Sequence, residues 1–260
     1  MLNDIVKNLL SEVSGLIPTT GAFNIRNNGQ SEGRKSTENI DIVPKPNGAG
    51  LDIYVKPFTK NEDVHIPALI TADGVHDVAY NDFHIGEGDG NGKRIINPQT
   101  HIEAEENAYI EMDTVQLKGV DSTKRISSAK LADGATMIIK EKIMTHGDQY
   151  AETSFDVDLN GTGSSAKLIS RSVAKDNSRQ LFRSKINGNA DCYGHSECDA
   201  IIMDNGIVAA EPEITANHVD ASLIHEAAIG KIAGDQLTKL MTLGLTEDEA
   251  EAQIINGFLK

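Results

Sequence analysis

A turn phrase recurs along the second half of this chain and constrains its fold more than any other feature. In each copy, a turn rich in Gly, Asn or Asp precedes a small residue and a short run of branched apolar residues. Four copies contain Ala108, Ala135, Ala166 and Ala221, which lie 27, 31 and 55 residues apart, so the last interval has room for two repeats. Such a loose repeat predicts a β-solenoid, whose coils stack on one another.

Apolar and polar residues alternate inside these runs, as at Phe155, Val157 and Leu159. A period of two predicts strands with one buried face, and it puts Asp156 and Asp158 on the solvent face. A β-sandwich would show the same short strands and turn residues. The alternation therefore predicts a mainly β protein and leaves the choice between solenoid and sandwich open.

Helical patterns flank the strands at both ends of the chain. Leu2–Val13 carries an amphipathic stripe, and the residues from there to position 50 are polar and rich in Gly, Asn and Pro. At the other end, one helix is predicted from Asp235 to Leu243, before Gly244. These patterns predict an N-terminal helix and linker over 1–50, a β core over 51–221 and a helical segment over 222–260.

The second C-terminal helix has a capping box, formed by Thr246 with Glu249 three residues later. Short amphipathic helices cannot bury their apolar stripes alone. The two C-terminal helices must therefore pack on the end of the solenoid or on another protein.

Charge and composition exclude several classes of partner. The 260 residues carry a formal net charge of −15, which argues against nucleic acid or an anionic membrane surface. The chain has no run of 18 apolar residues and no start typical of a signal peptide, so we expect a soluble cytoplasmic protein. In a reducing compartment, its two cysteines are better explained as metal ligands or buried thiols than as a disulfide.

Both cysteines lie in a short segment that could bind a metal. Cys192, His195 and Cys198 have the spacing Cys-x₂-His-x₂-Cys, with Glu197 alongside. A zinc site would need further ligands from elsewhere in the chain, and the spacing alone favours a buried Cys198 and a solvent-facing His195. On an unbroken strand, Cys192 and Cys198 face one side and His195 the other, so Cys198 pairs better with a group on a neighbouring coil.

The stretch from Gly194 to Lys260 resembles the C-terminal core of the SufB/SufD family of iron–sulfur cluster assembly scaffolds. The resemblance rests on motifs that occur in the family's order: Cys198-Asp199, His225-Glu226-Ala227, Lys231-Ile232, Asp235-Gln236-Leu237 and Asn256-Gly257-Phe258. It extends more loosely upstream to about Asp73. The resemblance implies a right-handed parallel β-helix, and it favours the solenoid over the sandwich.

The resemblance also implies a site. In the family, the Cys before Asp and the His-Glu pair are associated with building the nascent cluster at the interface between two core subunits. Carried over, these residues are Cys198, His225 and Glu226, with Cys192, His195 and Glu197 as additional candidates. Thiolate, imidazole and carboxylate suit a labile iron–sulfur cluster that must later be released. The implied cargo is a transient 4Fe-4S cluster, and participation of a flavin stays open.

The partners implied by the resemblance are a SufC-like ABC ATPase, a second core subunit, a sulfur donor and apoprotein acceptors. We expect a scaffold that is not an enzyme and that forms a homodimer or pairs with a second SufB/SufD-type subunit. The glycine-rich segment 86–92 does not fit a phosphate loop, so ATP hydrolysis is expected to come from the ATPase partner. The ATPase is expected to dock on the C-terminal helices through an apolar face: Leu237, Leu240, Met241, Ile254 and Phe258.

One departure from the family lies just before this glycine-rich segment. Relatives carry several dozen more residues between the positions of Ile85 and Gly88, including a cysteine that could receive sulfur. Two other functions stay open on the residues alone. One is a β-helix or cupin-like zinc or iron enzyme that uses Cys192, His195 and Cys198, and the other is a purely structural interaction module.

Overall fold

The structure is a computed structural model that describes the backbone of residues 23–27, 40–42, 49–55, 63–72, 78–85, 95–118 and 120–260. Side chains are described for residues 95, 97–116 and 120–260. The strands are β1 (Phe23–Asn27), β2 (Ile40–Ile42), β3 (Ala49–Val55), β4 (Asp63–Ala72), β5 (Val78–Ile85), β6 (Ile95–Ala104), β7 (Tyr109–Lys118), β8 (Ser122–Leu131), β9 (Thr136–Thr145), β10 (Tyr150–Leu159), β11 (Ser165–Ala174), β12 (Arg179–Gly188), β13 (Tyr193–Ile202), β14 (Ile207–Ala216) and β15 (Ser222–Gly230). The helices are α1 (Gly234–Thr242) and α2 (Glu247–Phe258).

The strands form a parallel β-solenoid. All odd-numbered strands lie in one sheet and all even-numbered strands in the other, so each turn of the chain adds one strand to each sheet. Neighbouring strands within a sheet are parallel throughout the described part, from β1 and β3 to β13 and β15. This pairing confirms the predicted mainly β solenoid and excludes the sandwich alternative, because consecutive strands of a sheet are a full coil apart in sequence.

The recurring turn phrase is one corner of the solenoid. Backbone hydrogen bonds across this corner join each coil to the next, from Thr136 to Ala108 through Ser222 to Cys192. The stacked small residues are Ala108, Ala135, Ser164, Cys192 and Ala221. The 55-residue interval thus holds the extra repeat that we predicted, at Cys192. The expected third position, Ala166, was wrong by two residues, because Gly163 takes the left-handed conformation that turns the chain before Ser164.

The interior of the solenoid is apolar and follows the predicted alternation. Phe155, Val157 and Leu159 are buried in one continuous core, and Asp156 and Asp158 lie on the outer face of the same strand. Phe155 and Phe182 lie on the neighbouring strands β10 and β12, and their rings contact each other inside the core with centroids 6.0 Å apart. The core thus consists mainly of aliphatic side chains, as expected for a chain without Trp.

Helix α2 packs on the outer face of the odd-numbered sheet. Its Ile255, together with Leu259 just after it, is buried against a patch of that face formed by Val115, Met144 and Val173. The capping box at Thr246 is present as predicted. Helix α1 has no buried residue and begins at Gly234, where Ala233 provides no side-chain cap.

The strands extend beyond the predicted core of 51–221 at both ends. β1 and β2 lie in the stretch that we expected to be linker, and they pair with β3 and β4. Ser222–Gly230, expected to belong to the helical segment, is strand β15, because it continues the register of β13 by one more coil. The helix predicted over Leu2–Val13 and the glycine-rich segment 86–92 lie outside the described residues.

Candidate functional site

The last two strands of the odd-numbered sheet bring Cys198 and His225 to the same face. On β13 the even-numbered residues from 194 to 200 are buried, so Cys198 points into the solenoid. The register pairs Ser196 with His225 and Cys198 with Ala227. His225 therefore lies on the inward face of the next coil, diagonal to Cys198. His225 is therefore the residue on a neighbouring coil to which the sequence expectation for Cys198 would apply.

The other predicted ligands on these strands lie on the outward face. His195 and Glu197 have the opposite parity to Cys198, and Glu226 pairs with Glu197. His195 Nε2 lies 3.8 Å from Glu226 Oε2, and the Glu226 side chain is 68% exposed. The sheet thus divides five of the six candidates into an inward group of Cys198 and His225 and an outward group of His195, Glu197 and Glu226.

Cys192 belongs to neither group. It is the small residue of the fourth corner, 5% exposed and packed in the main core, and burial raises the pKa of its thiol. The Cys-x₂-His-x₂-Cys segment therefore spreads over a corner, an outer face and an inner face. Among the residues whose side chains are described, no three His, Cys, Asp or Glu groups converge as a metal site.

Burial dominates the chemistry of Cys198. The residue is 1% exposed, and burial, with the nearby Glu141 carboxylate as the second cause, raises the pKa of its thiol to about 12. A thiol with this pKa is protonated at neutral pH, so a metal must displace its proton in order to bind. Soft iron–sulfide species are suited to that displacement, since thiolate is their usual protein ligand.

The surroundings of His225 favour its unprotonated ring, whereas those of Cys198 favour its protonated thiol. Burial lowers its pKa, His195 lowers it further, and a backbone hydrogen bond at Ser196 has the opposite effect. Its Nδ1 atom is buried without a hydrogen-bond partner in the structure. A neutral imidazole with a free ring nitrogen is the form that coordinates metals. Cys198 and His225 therefore offer sulfur and nitrogen donors, and the residues present fit an iron–sulfur cargo.

A buried polar network beneath Cys198 was not identified from the sequence. The inward column that contains Cys198 continues to Ser170 on β11 and Glu141 on β9. Ser170 and Thr153 donate hydrogen bonds of 2.9 and 2.8 Å to Glu141, and Arg125 Nε lies 3.9 Å from the carboxylate. The alternation of Met137, Ile139 and Ile143 on β9 could have placed Glu141 inside, since all four share one parity.

The predicted partner-binding residues differ in exposure. Met241 is 44% exposed, and Leu237, Leu240 and Ile254 are half-buried. Phe258 packs against the cluster between α2 and the sheet. The apolar surface left open on the tail therefore lies mainly on α1, and Leu243, just after this helix, extends it with 73% exposure.

Comparison with known proteins shows which family this chain is similar to. Residues 88–258 match the family model described as the SufBD core domain of SUF system FeS cluster assembly. A protein of Methanothermobacter thermautotrophicus, named an iron–sulfur cluster assembly SufBD family protein, is 31% identical over 63% of this chain. Proteins of the same name from Methanocaldococcus jannaschii and Pyrococcus horikoshii are 31% and 33% identical, each over 70% of the chain.

The chain spans about half the length of these relatives: the matched parts cover 41%, 57% and 55% of them, respectively. The motifs that carry the sequence resemblance all fall inside the matched region. In the described part of the chain, no helix has both the length and the apolar character needed to span a membrane.

Proposed function

We propose, since the chain belongs to the SufBD family of iron–sulfur cluster assembly proteins, that it is a scaffold on which a nascent cluster is built and then passed on. The cluster is the cargo of this scaffold and not a resident cofactor. The scaffold performs no catalysis itself and works in the cytoplasm. Apoproteins would receive the finished cluster.

The observation that supports this proposal best is the shared inward face of Cys198 and His225 at the end of the solenoid. Cys198 lies one strand from the last coil, and His225 lies on the last strand itself. Iron and sulfide can approach His225 from the end of the solenoid, because β15 has no neighbour on its outer side among the described strands. Cys198 lies one strand deeper and is 1% exposed, so the last coil would have to open for its thiol to be reached. A site with few protein ligands suits a cluster of the 4Fe-4S kind that has to be released.

The residues on the outer face would have a supporting role. Glu226 and His195 lie within 3.8 Å of each other, and Glu197 occupies the neighbouring outward position. Carboxylate and imidazole groups at the rim of the solenoid end can hold incoming iron weakly before it reaches a thiolate. This role would make Glu226, His195 and Glu197 accessory to Cys198 and His225. Cys192 would contribute packing only.

Three partners complete the proposal. A second core subunit, either another copy of this chain or another SufB/SufD-type protein, would cover the open end of the solenoid. A SufC-like ABC ATPase would bind the apolar surface of α1 at Leu237, Leu240 and Met241. A separate sulfur donor would deliver sulfide, and a flavin is not required for the chemistry proposed.

The test is anaerobic reconstitution with ferrous iron and sulfide, followed by desalting and by measurement of bound iron, sulfide and visible charge-transfer absorption. We expect the wild-type protein to hold both elements and Cys198→Ala to hold neither. Stoichiometric zinc in the purified protein, without bound sulfide, would instead support a metalloenzyme. Absence of any bound metal after reconstitution would favour an interaction module.

A further inference from the structure

The last strand, β15, covers Cys198 with few contacts. Its four inward residues are Leu223, His225, Ala227 and Ile229. Ala227 pairs with Cys198 on β13, and every residue of β15 from 226 to 230 is exposed. Among the three apolar inward residues, Leu223 alone packs against the main core. One leucine at the start of the strand therefore provides the apolar contact that holds β15 to the interior.

Leu223 occupies a socket formed by two glycines. Its Cα pairs with that of Gly194 on β13, and Gly188 ends the neighbouring strand β12. A methyl group on Gly194 would lie 2.7 Å from Leu223 Cδ2, and one on Gly188 would lie 3.3 Å from Leu223 Cδ1. Carbon atoms that are not bonded pack at about 3.5–4.0 Å, so neither position has room for a side chain while Leu223 is in place.

The two glycines are explained by space and not by backbone conformation. The glycines of the described residues that have a positive φ are Gly134, Gly147, Gly163 and Gly244. Gly194 instead continues an inward column of the odd-numbered sheet, in which the preceding residues are Ile110, Met137 and Ala166. The side chains of this column become smaller toward the last coil, and Leu223 fills the room that they leave.

A second anchor lies beyond the other end of β15. Ile232 packs against the cluster between α2 and the outer face of the odd-numbered sheet. The exposed stretch over Cys198 lies between this anchor and Leu223. Segments with few buried apolar contacts open locally at a lower free energy than the rest of a protein. Release of Leu223 would therefore free β15 to move away from Cys198 while the helices stay packed.

We propose that Leu223 is the latch of the last strand: in the socket of Gly188 and Gly194 it holds β15 closed over Cys198, and its release gives iron and sulfide access to the thiol. Leu223 is then a positioning residue that acts through β15. This inference rests on the proposed function. It adds the residue that controls how fast the buried thiol is reached.

Chemical modification of Cys198 measures how often the strand opens. The probe is N-ethylmaleimide, and mass spectrometry of the modified peptides separates Cys198 from Cys192. Leu223→Ala should raise the modification rate of Cys198 roughly 10-fold or more, because the truncation removes packing that favours the closed strand.

Two matched controls separate the latch from other effects. Ile229→Ala truncates another inward residue of β15, which is 39% exposed, and should leave the rate close to that of the wild type. Leu131→Ala truncates a fully buried leucine on β8, three strands away from the last coil in the even-numbered sheet. It should lower the melting temperature without speeding the modification of Cys198.

Gly194→Ala tests the socket from the opposite side. The added methyl group would displace Leu223, so this variant should modify Cys198 about as fast as Leu223→Ala does. The double variant should be no faster than either single variant, because a leucine that has left its socket has no packing there to lose. Additive increases would show that Leu223 does not act through this socket.

The rate of loading distinguishes a latch from a residue that only supports the fold. In anaerobic reconstitution with ferrous iron and sulfide, Leu223→Ala should take up both elements faster than the wild type and lose them faster to a chelator. A residue with a purely structural role would lower the yield without speeding either step. Circular dichroism and melting temperature verify folding, and Leu223→Val is the milder truncation if the alanine variant does not fold.

An unchanged modification rate of Cys198 in Leu223→Ala would overturn the proposal, and so would an equal rise in Ile229→Ala or Leu131→Ala. A failure of the proposed function shows differently, as a wild-type protein that binds no iron and sulfide. The modification rates test the latch in either case.

Discussion

His225 and Glu226 are neighbours in the sequence, but they lie on opposite faces of β15. His225 pairs with the buried Ser196 on the inward face, whereas Glu226 pairs with Glu197 on the outward face. The His-Glu motif therefore supplies one inward donor beside Cys198 and one carboxylate on the outer face. This separation makes the two residues distinguishable by experiment.

We expect His225→Ala to reduce the yield of bound iron and sulfide by roughly 10-fold or more, because loss of a direct donor should cost at least as much as loss of a supporting group. Glu226→Ala should slow loading and leave the final yield close to that of the wild type, because its carboxylate lies on the outer face, away from the two inward donors. The measurement is iron and sulfide content over time in the anaerobic reconstitution. Glu197→Ala should behave like Glu226→Ala, since both carboxylates lie on the outer face. Equal losses in His225→Ala and Glu226→Ala would contradict the two-face arrangement.

The two cysteines form a matched pair, because both are buried in the same core. Cys198→Ala and Cys192→Ala should each lower the free energy of unfolding by about 1 kcal/mol, as small core truncations do. Only Cys198→Ala should lose cluster assembly. Denaturant unfolding and reconstitution of both variants provide the comparison. If Cys192→Ala lost cluster assembly while it kept wild-type stability, the site would have to include the corner at Cys192.

His225 should also make the stability of the protein sensitive to acid. Burial lowers the pKa of His225 from its ordinary value of 6.5. Below about pH 6.5 the unfolded chain binds a proton that the folded chain resists, so the free energy of unfolding falls as the pH drops. This loss of stability is zero above the pKa that His225 has in the unfolded chain. It reaches its full size once the pH lies below the pKa of His225 in the folded protein.

In His225→Ala this acid sensitivity should be smaller. Urea unfolding of both proteins at about pH 7.5 and about pH 5 measures it, since the difference between the two proteins cancels the other histidines. Curves that shift equally with pH in wild type and variant would show that His225 does not titrate differently on folding.

The buried network at Glu141 should matter for stability. Removing one partner of a buried pair, as in Arg125→Met, leaves the other charge uncompensated and should cost about 3–5 kcal/mol. The double variant Arg125→Met with Glu141→Leu should recover much of that loss, because apolar side chains suit the surrounding core. The exposed pair Lys185 and Asp156, 3.7 Å apart, is the control, and its removal should cost less than about 1 kcal/mol.

A thermodynamic cycle from denaturant unfolding of the single and double variants measures this coupling. Additive losses for Arg125→Met and Glu141→Leu would show that the 3.9 Å approach of the two side chains does not stabilise the folded protein.

Much of the fold could be predicted from the sequence, because its repeat and its alternation are both local signals. The corner residues Ala108, Ala135 and Ala221 and the buried parity of Phe155, Val157 and Leu159 follow from these two periods. The limits of the solenoid could not be found in this way. Ser222–Gly230 combines a strand pattern with the His-Glu-Ala motif, and only its pairing with β13 shows that it belongs to the sheet.

The inward position of Cys198 could be predicted from parity alone, but the position of His225 could not. Parity within one strand says nothing about the register of the next coil, which depends on the number of residues in the corner between them. Glu141 was missed because charged residues are expected on the outer face. A single inward carboxylate can be recognised only when its buried partners are known.

The C-terminal helices offer a last prediction, because the structure separates a packed face from an open one. Ile255 is 1% exposed and fills the cluster between α2 and the outer face of the odd-numbered sheet, whereas Met241 on α1 is 44% exposed. Ile255→Ala should lower the free energy of unfolding by about 2–5 kcal/mol. Met241→Asp and Leu240→Asp should change it by less than about 1 kcal/mol.

The same variants should differ in whether they bind a SufC-like ATPase. Burial of one large apolar side chain contributes roughly 1.5–3 kcal/mol, so an aspartate in the middle of the open face should abolish co-purification of the ATPase. We expect Leu240→Asp and Met241→Asp to lose the ATPase with unchanged melting temperature, and Ile255→Ala to melt earlier while it still binds below its melting point. Affinity pull-down and thermal unfolding of the three variants provide the readout. If the α1 variants bind normally, the ATPase contacts another surface; if they melt early, α1 packs on its own solenoid in solution.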